Sequence, residues 1–208
     1  TIIALGTSFP ELVVSVNAVI DRSPGIAWGN VLGSNISNIF LVLGLASLMH
    51  PLSLKGGKSN AYIFWLFFSS LIFFSISVGA KSISFSYGIV LILVLIIFLI
   101  YIAYISKNNG NPTEENKINK KLSLLNTILF IFFGIIILII SAEAVVNSSV
   151  KIASLFNVPE TFIGLTIIAV GTSLPEISAS IVAVKKGYSE IAIGNVIGSN
   201  IFNTLGII

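Results

Sequence analysis

The chain has 208 residues, 55% of them hydrophobic and 9% charged, with a mean hydropathy of +1.04. That balance excludes an ordinary soluble domain and places the chain in a bilayer. The net charge of +3 comes from loop lysines and points to no nucleic-acid partner, and the absence of cysteine removes disulfides and thiolate metal sites.

A helix needs about 20 mainly apolar residues to cross the hydrocarbon core. On that rule spans are expected at roughly 1–20, 28–48, 61–79, 84–105, 122–156, 160–184 and 190–208. The chain starts at Thr1 and stops at Ile208 inside apolar runs, so the first and last spans are expected to be truncated and the chain to be a fragment. The third and fourth spans are nearly pure Phe, Ile, Leu, Ser and Val and read as scaffold. The fifth is too long to stand upright, so it tilts strongly or ends in an interfacial segment around Asn147 to Phe156. Residues 107–121, with Asn-Asn-Gly-Asn-Pro and mixed charge, form the one clearly polar linker. They divide a first transmembrane repeat, 1–106, from a second, 122–208.

Loops after the second, fourth and sixth spans hold Lys55, Lys58, Lys107, Lys117, Lys120, Lys121, Lys185 and Lys186, against Arg22, Lys81 and Lys151 on the other side. The excess puts the linker in the cytoplasm of a multi-pass protein, with the cell membrane as its expected location.

Gly6-Thr7-Ser8-Phe9-Pro10-Glu11 recurs as Gly171-Thr172-Ser173-Leu174-Pro175-Glu176. At the same offset of 165 residues, Gly29-Asn30-Val31-Leu32-Gly33-Ser34-Asn35-Ile36 lands on Gly194-Asn195-Val196-Ile197-Gly198-Ser199-Asn200-Ile201, and 22 of the first 38 residues match their partners. The first and sixth spans are five crossings apart, so the two copies run in opposite directions. The expected fold is therefore an all-α polytopic membrane protein, an inverted-topology repeat whose site lies near the midplane between the halves.

Pro10 and Pro175 cannot donate to the carbonyls of Gly6 and Gly171, which predicts discontinuous helices at both motifs. In lipid such carbonyls are tolerated only where protein, water or an ion satisfies them, so the breaks predict a cavity. Ala4, Thr7, Ser8 and Glu11 share one helical face, as do Ala169, Thr172, Ser173 and Glu176. Asn30, Ser34 and Asn38, mirrored by Asn195, Ser199 and Asn203, form polar stripes on the following spans. Gly29 and Gly33, like Gly194 and Gly198, form small-xxx-small patterns that permit close helix approach.

Glu11 and Glu176 decide the ligand class. Two facing carboxylates at membrane depth repel, so one protonates unless cations are present. Oxygen ligands with no His or Cys suit Na⁺, Ca²⁺ or Mg²⁺ rather than zinc or copper. Two bidentate glutamates with two backbone carbonyls would supply six oxygens, enough for Ca²⁺. The surrounding hydroxyls and amides suit Na⁺.

The doubled G-T-S-x-P-E followed by G-N-V-x-G-S-N-I resembles the two alpha-repeats of the Na⁺/Ca²⁺ exchanger family, in the cation/Ca²⁺ antiporter superfamily. The resemblance covers essentially the whole chain. It implies ten spans in the intact protein, this chain running from within the second into the eighth, with a cytoplasmic linker between the fifth and sixth. Carried over by motif position, it assigns Ca²⁺ to the carboxylates of Glu11 and Glu176 and the carbonyls of Thr7 and Thr172. It assigns Na⁺ to the same glutamates with Ser8, Ser34, Ser173, Ser199 and the carbonyls of Ala4 and Ala169, with Asn38 and Asn203 flanking the centre. Some relatives carry Asp at the position of Asn203. Asn there argues against K⁺ co-transport and leaves the site charge to the two glutamates. The cation/H⁺ branch usually lacks the serine after Gly-Thr, so Ser8 and Ser173 imply Na⁺ as counter-ion, with Ca²⁺/H⁺ antiport on the same glutamates as the alternative. The resemblance further implies three Na⁺ per Ca²⁺, hence one net charge moved and voltage sensitivity. No cofactor is expected; Ca²⁺ and Na⁺ are the transported ions, and the bilayer is the partner.

Catalysis is not expected. A serine protease needs a base, yet His50 is the single histidine and lies outside the motifs; Asp21 is the single aspartate, so no aspartyl dyad exists. Asn35, Ser15 and Ser180 read as packing hydrogen bonds, and so does Asn17, whose counterpart is Val182. Glu143 sits near the outer end of the fifth span and reads as a snorkelling or locally bonded side chain. His50 reads as solvated.

Overall fold

The computed structural model describes residues 2–20, 22–53, 58–79, 84–108, 123–156 and 158–207, and every element among them is a helix. The first motif falls on a broken pair, α1 (Ile2–Thr7) and α2 (Phe9–Ile20), interrupted at Ser8. α3 runs Pro24–Met49, starting four residues earlier than the apolar pattern predicts because Pro24 is tolerated in a first turn that needs no donor. α4 spans Lys58–Gly79, α5 Phe85–Asn108 and α6 Leu124–Leu155. The second motif again falls on a break, between α7 (160–172) and α8 (Leu174–Lys185), and α9 (189–207) follows. Most of the predicted linker, and Asp21, lie outside the described residues.

α3 and Phe85–Ser106 of α5 are each long and apolar enough to cross a membrane, and Gly164–Thr172 with Leu174–Lys185 makes a third span bent by 44°. The break follows from Pro175, which stands in the first turn of α8 with Ser173 as the residue between halves. The long fifth span is one continuous helix of 32 residues, about 48 Å at 1.5 Å per residue, which exceeds the hydrocarbon thickness without a separate interfacial segment.

The duplicated sequence produces duplicated packing. α1 lies on α9, and the equivalent end of α7 lies on α3; α2 packs on α3 as α8 packs on α9. The internal repeat therefore closes on itself, each half inserting its motif against the other half's polar stripe. Gly33 sits where α3 crosses α7: a methyl there would overlap the Leu165 carbonyl and come within 2.5 Å of the Ala169 Cβ. Gly194 faces the Tyr62 hydroxyl instead, 3.3 Å from where its Cβ would lie.

The two outer flanks differ. Ile193, Ile197, Ile201 and Leu205 on α9 are buried beneath Ala61, Trp65, Leu91, Leu95 and Phe98 of α4 and α5. Their partners at the 165-residue offset on α3 include Leu32, Ile36 and Phe40, which are 39%, 51% and 78% exposed. The same apolar stripe is thus buried at these positions in one repeat and exposed in the other, although Trp28, the counterpart of Ile193, still packs on Phe73 of α4 with ring centroids 5.4 Å apart.

Candidate functional site

The two breaks meet at the crossing of α1, α3, α7 and α9, and the polar groups gathered there are buried far beyond what an apolar protein tolerates without partners. Glu11, Glu176, Ser8, Ser34, Ser173, Ser199, Thr172, Asn30, Asn38 and Asn203 are each 0% exposed, and Thr7 is 6% exposed. Each glutamate lies in the first turn of the helix that restarts after its break. There the positive end of the helix dipole favours a negative charge. This placement follows from the proline-induced break and was not legible from residue spacing alone.

Contacts between the halves are specific. Ser8 Oγ donates to Glu176 Oε1 across the interface at 2.9 Å, and Ser199 Oγ donates to the same oxygen at 3.2 Å. Ser34 and Thr172 hydroxyls lie 3.2 Å apart. The internal symmetry is broken at the carboxylates: Ser173, the counterpart of Ser8, turns back to the Ala169 carbonyl at 2.8 Å rather than reaching Glu11. Among the described residues, no donor reaches either carboxyl oxygen of Glu11 or the second oxygen of Glu176, all three of them buried. The Oδ1 and Nδ2 of Asn203 and the Oδ1 of Asn38 are likewise buried without a hydrogen-bond partner among the described residues. Each of these begins a π-turn, Asn38–Leu43 and Asn203–Ile207, a local widening that recurs at functional sites.

All the residues predicted for the site are buried, and hydrogen bonds join Ser8 and Ser199 to Glu176, Thr7 to Asn195, and Thr172 to Ser34 and Asn30, whereas Asn38 bonds Asn200 instead. The carbonyls of Ala4 and Ala169 are already engaged: Ala4 accepts from Ser8 N at 3.0 Å, and Ala169 from Ser173 N at 3.1 Å and Ser173 Oγ at 2.8 Å, while the Thr7 and Thr172 hydroxyls lie 3.3 Å from them as a second choice beside their bonds across the repeats. An ion at either carbonyl must share it with these donors. Among the described residues no group of three or more His, Cys, Asp or Glu forms a metal cluster. A cation here would have two carboxylates and neutral oxygens, a set suited to hard ions.

Ser15 and Ser180 make the packing bonds expected of them, to Asn30 Nδ2 at 3.0 Å and Asn195 Nδ2 at 3.3 Å. Asn35 donates to Thr204 Oγ1 at 2.9 Å, within a cluster that includes Asn200 donating to the Asn35 carbonyl at 3.2 Å. Asn17 is a correction: it is exposed rather than packed, because it falls on the outer face of α2, away from α3. His50 is exposed, its Nδ1 3.0 Å from the Pro51 carbonyl. Glu143 lies within α6, and its side chain is outside the described residues. What sequence reading left outside the ion set is the role of Asn30 and Asn195, which bond across the repeats; their recurrence at the repeat offset was the available signal.

The family model described as sodium/calcium exchanger protein matches residues 1–104 and 126–208. An uncharacterized membrane protein of Methanocaldococcus jannaschii is 36% identical over 97% of this chain and 65% of its own length. The sodium/calcium exchanger MaX1 of Methanosarcina acetivorans is 32% identical over 98% of this chain and 69% of its own. Among solved structures, the sodium-calcium exchanger NCX_Mj superposes with a TM-score of 0.75 at 36% identity, covering 100% of this chain and 67% of that one. The chain spans about two thirds of the length of the curated relatives it matches.

Proposed function

This chain belongs to the sodium/calcium exchanger protein family, and from that premise we propose that the intact protein exchanges Na⁺ for Ca²⁺ across a membrane by alternating access. The observation that carries the reading is the pair of buried glutamates at the repeat interface, three of whose four carboxyl oxygens have no donor among the described residues, with buried hydroxyls and amides around them. Ionised carboxylates at membrane depth are costly unless a cation compensates them. One divalent ion can neutralise both glutamates at once, or several Na⁺ can share them with the serine hydroxyls, but the two occupancies exclude each other. That exclusion couples the fluxes: an empty, doubly negative site is the state least able to switch sides. The proposed Ca²⁺ ligands are Glu11 and Glu176 with the Thr7 and Thr172 carbonyls; the proposed Na⁺ ligands add Ser8, Ser34, Ser173, Ser199 and the Ala4 and Ala169 carbonyls, with Asn38 and Asn203 beside the centre.

The test is Ca²⁺ uptake into proteoliposomes holding the full-length protein and loaded with Na⁺, K⁺ or choline. Only an outward Na⁺ gradient is expected to drive uptake, and a negative interior potential is expected to slow it if three Na⁺ leave the lumen per Ca²⁺ that enters. Voltage-independent uptake removes that stoichiometry. The undonated oxygens of Glu11 are also proton sites, which is what favours Ca²⁺/H⁺ antiport as the second reading; uptake driven by a pH gradient without Na⁺ would establish it instead. Under either reading protons compete for the carboxyl oxygens. Mild acidification is therefore expected to raise the Ca²⁺ concentration for half-maximal uptake, and a pH-independent value would contradict a carboxylate site.

A further inference from the structure

Asn30 on α3 and Asn195 on α9 occupy equivalent places in the two repeats, and each is all but fully buried. Each amide joins the halves. Asn30 Oδ1 accepts from Thr172 Oγ1 at 3.2 Å, while its Nδ2 donates to Ser15 Oγ at 3.0 Å and to the Glu11 carbonyl at 3.1 Å. Asn195 Oδ1 accepts from Thr7 Oγ1 at 3.3 Å, and its Nδ2 donates to Ser180 Oγ at 3.3 Å. The bond to the Glu11 carbonyl, which can only accept, fixes which end of the Asn30 amide points where.

The partners stand in a regular relation to the glutamates. Thr7 and Ser15 lie one turn before and one turn after Glu11; Thr172 and Ser180 lie one turn before and one turn after Glu176. Asn30 therefore ties the turn after Glu11 to the turn before Glu176, and Asn195 ties the turn after Glu176 to the turn before Glu11. Two crossed bridges hold the broken helices at a fixed offset. Sliding or spreading either motif against the other would stretch both bridges, and an unpaired amide left behind at this depth is costly. An amide does this without adding charge.

Resting on the exchanger reading above, we infer that Asn30 and Asn195 are positioning residues that set the separation of the Glu11 and Glu176 carboxylates and so select divalent cations by size. Neither amide need touch the ion. A site whose bridges are cut can open for a larger cation, so the order among Ca²⁺, Sr²⁺ and Ba²⁺ changes while the site charge stays the same.

The experiment compares full-length wild type, Asn30→Leu, Thr172→Val and the double variant in Na⁺-loaded proteoliposomes, measuring half-saturating concentration and maximal rate for Ca²⁺, Sr²⁺ and Ba²⁺. Each single change is expected to shift the Sr²⁺ to Ca²⁺ half-saturation ratio about three- to tenfold in favour of Sr²⁺, the scale of one hydrogen bond. The double variant is expected to shift it no further than the larger single, since both cut one bridge. An unchanged ratio with a lowered maximal rate would mean that Asn30 only supports the fold, and would overturn the proposal. If Asn30→Leu does not fold, Ser15→Ala and Thr172→Val cut the same bridge from its two ends and carry the same readout. The ratio is also read without transport, from the Ca²⁺ and Sr²⁺ concentrations that raise the unfolding temperature of the purified protein. Wild type stabilised by divalent cations but inactive in exchange would remove the exchanger reading and leave size selection testable by that second readout. Wild type stabilised by none would remove both.

Discussion

Glu11→Gln is expected to fold normally and to lose Na⁺-driven Ca²⁺ uptake by about a hundredfold or more. Among the described residues no hydrogen bond reaches either carboxyl oxygen of Glu11, so the neutral amide, nearly the same in shape, gives up no such bond. What it removes is one of two negative charges in a buried site. Losing a charged partner in such a setting costs about 2–5 kcal/mol, and about 1.4 kcal/mol is a factor of ten in affinity. Glu176→Gln is expected to abolish uptake as well, with a second effect. Its Oε1 accepts from both Ser8 and Ser199, so the substitution also disturbs a contact between the halves and lowers the unfolding temperature. The pair of measurements separates charge from packing: uptake lost in both, stability lost mainly in Glu176→Gln. Ca²⁺ uptake at the wild-type rate in either variant would take the carboxylates out of the mechanism.

Gly33→Ala is expected to lower the unfolding temperature by about 5 °C or more and to weaken Ca²⁺-dependent stabilisation with it. The added methyl meets the Leu165 carbonyl and the Ala169 Cβ, both fixed to the backbone of α7, so no flexible side chain can swing aside. Overpacking of this kind costs about 1–3 kcal/mol, and each kcal/mol moves the midpoint by about 2–4 °C in a chain of this size. The displaced helix carries Thr172 and the contact between the Ser34 and Thr172 hydroxyls, which ties the steric effect to the site. Thermal unfolding with and without Ca²⁺ is the check. Gly44→Ala is the control, because a Cβ there meets nothing within 4 Å. Equal midpoints for the two variants would show that α3 and α7 do not hold this close approach in the folded protein.

Hydropathy placed the helices to within a few residues, because a span must satisfy its backbone internally and that demand writes long apolar runs. The doubled motif singled out Glu11, Glu176 and the polar stripes, because a duplicated half-protein repeats its polar residues at one offset. The prolines predicted the two breaks, since a missing donor acts locally. Tertiary structure alone decided which half each polar group serves. Ser8 bonds Glu176 rather than its own motif's Glu11, and Asn30 reaches Thr172, 142 positions away in sequence. Pairings of this kind depend on how two helices cross, which no single helix encodes. It decided, too, that equivalent residues are not equivalent in place: Ser173 folds back on Ala169 where Ser8 reaches across, and Phe40 is bare where Leu205 is buried. Identical side chains can take different partners because each has two hydrogen-bonding choices of similar strength, and the packing around them, which the repeat does not fully share, selects one.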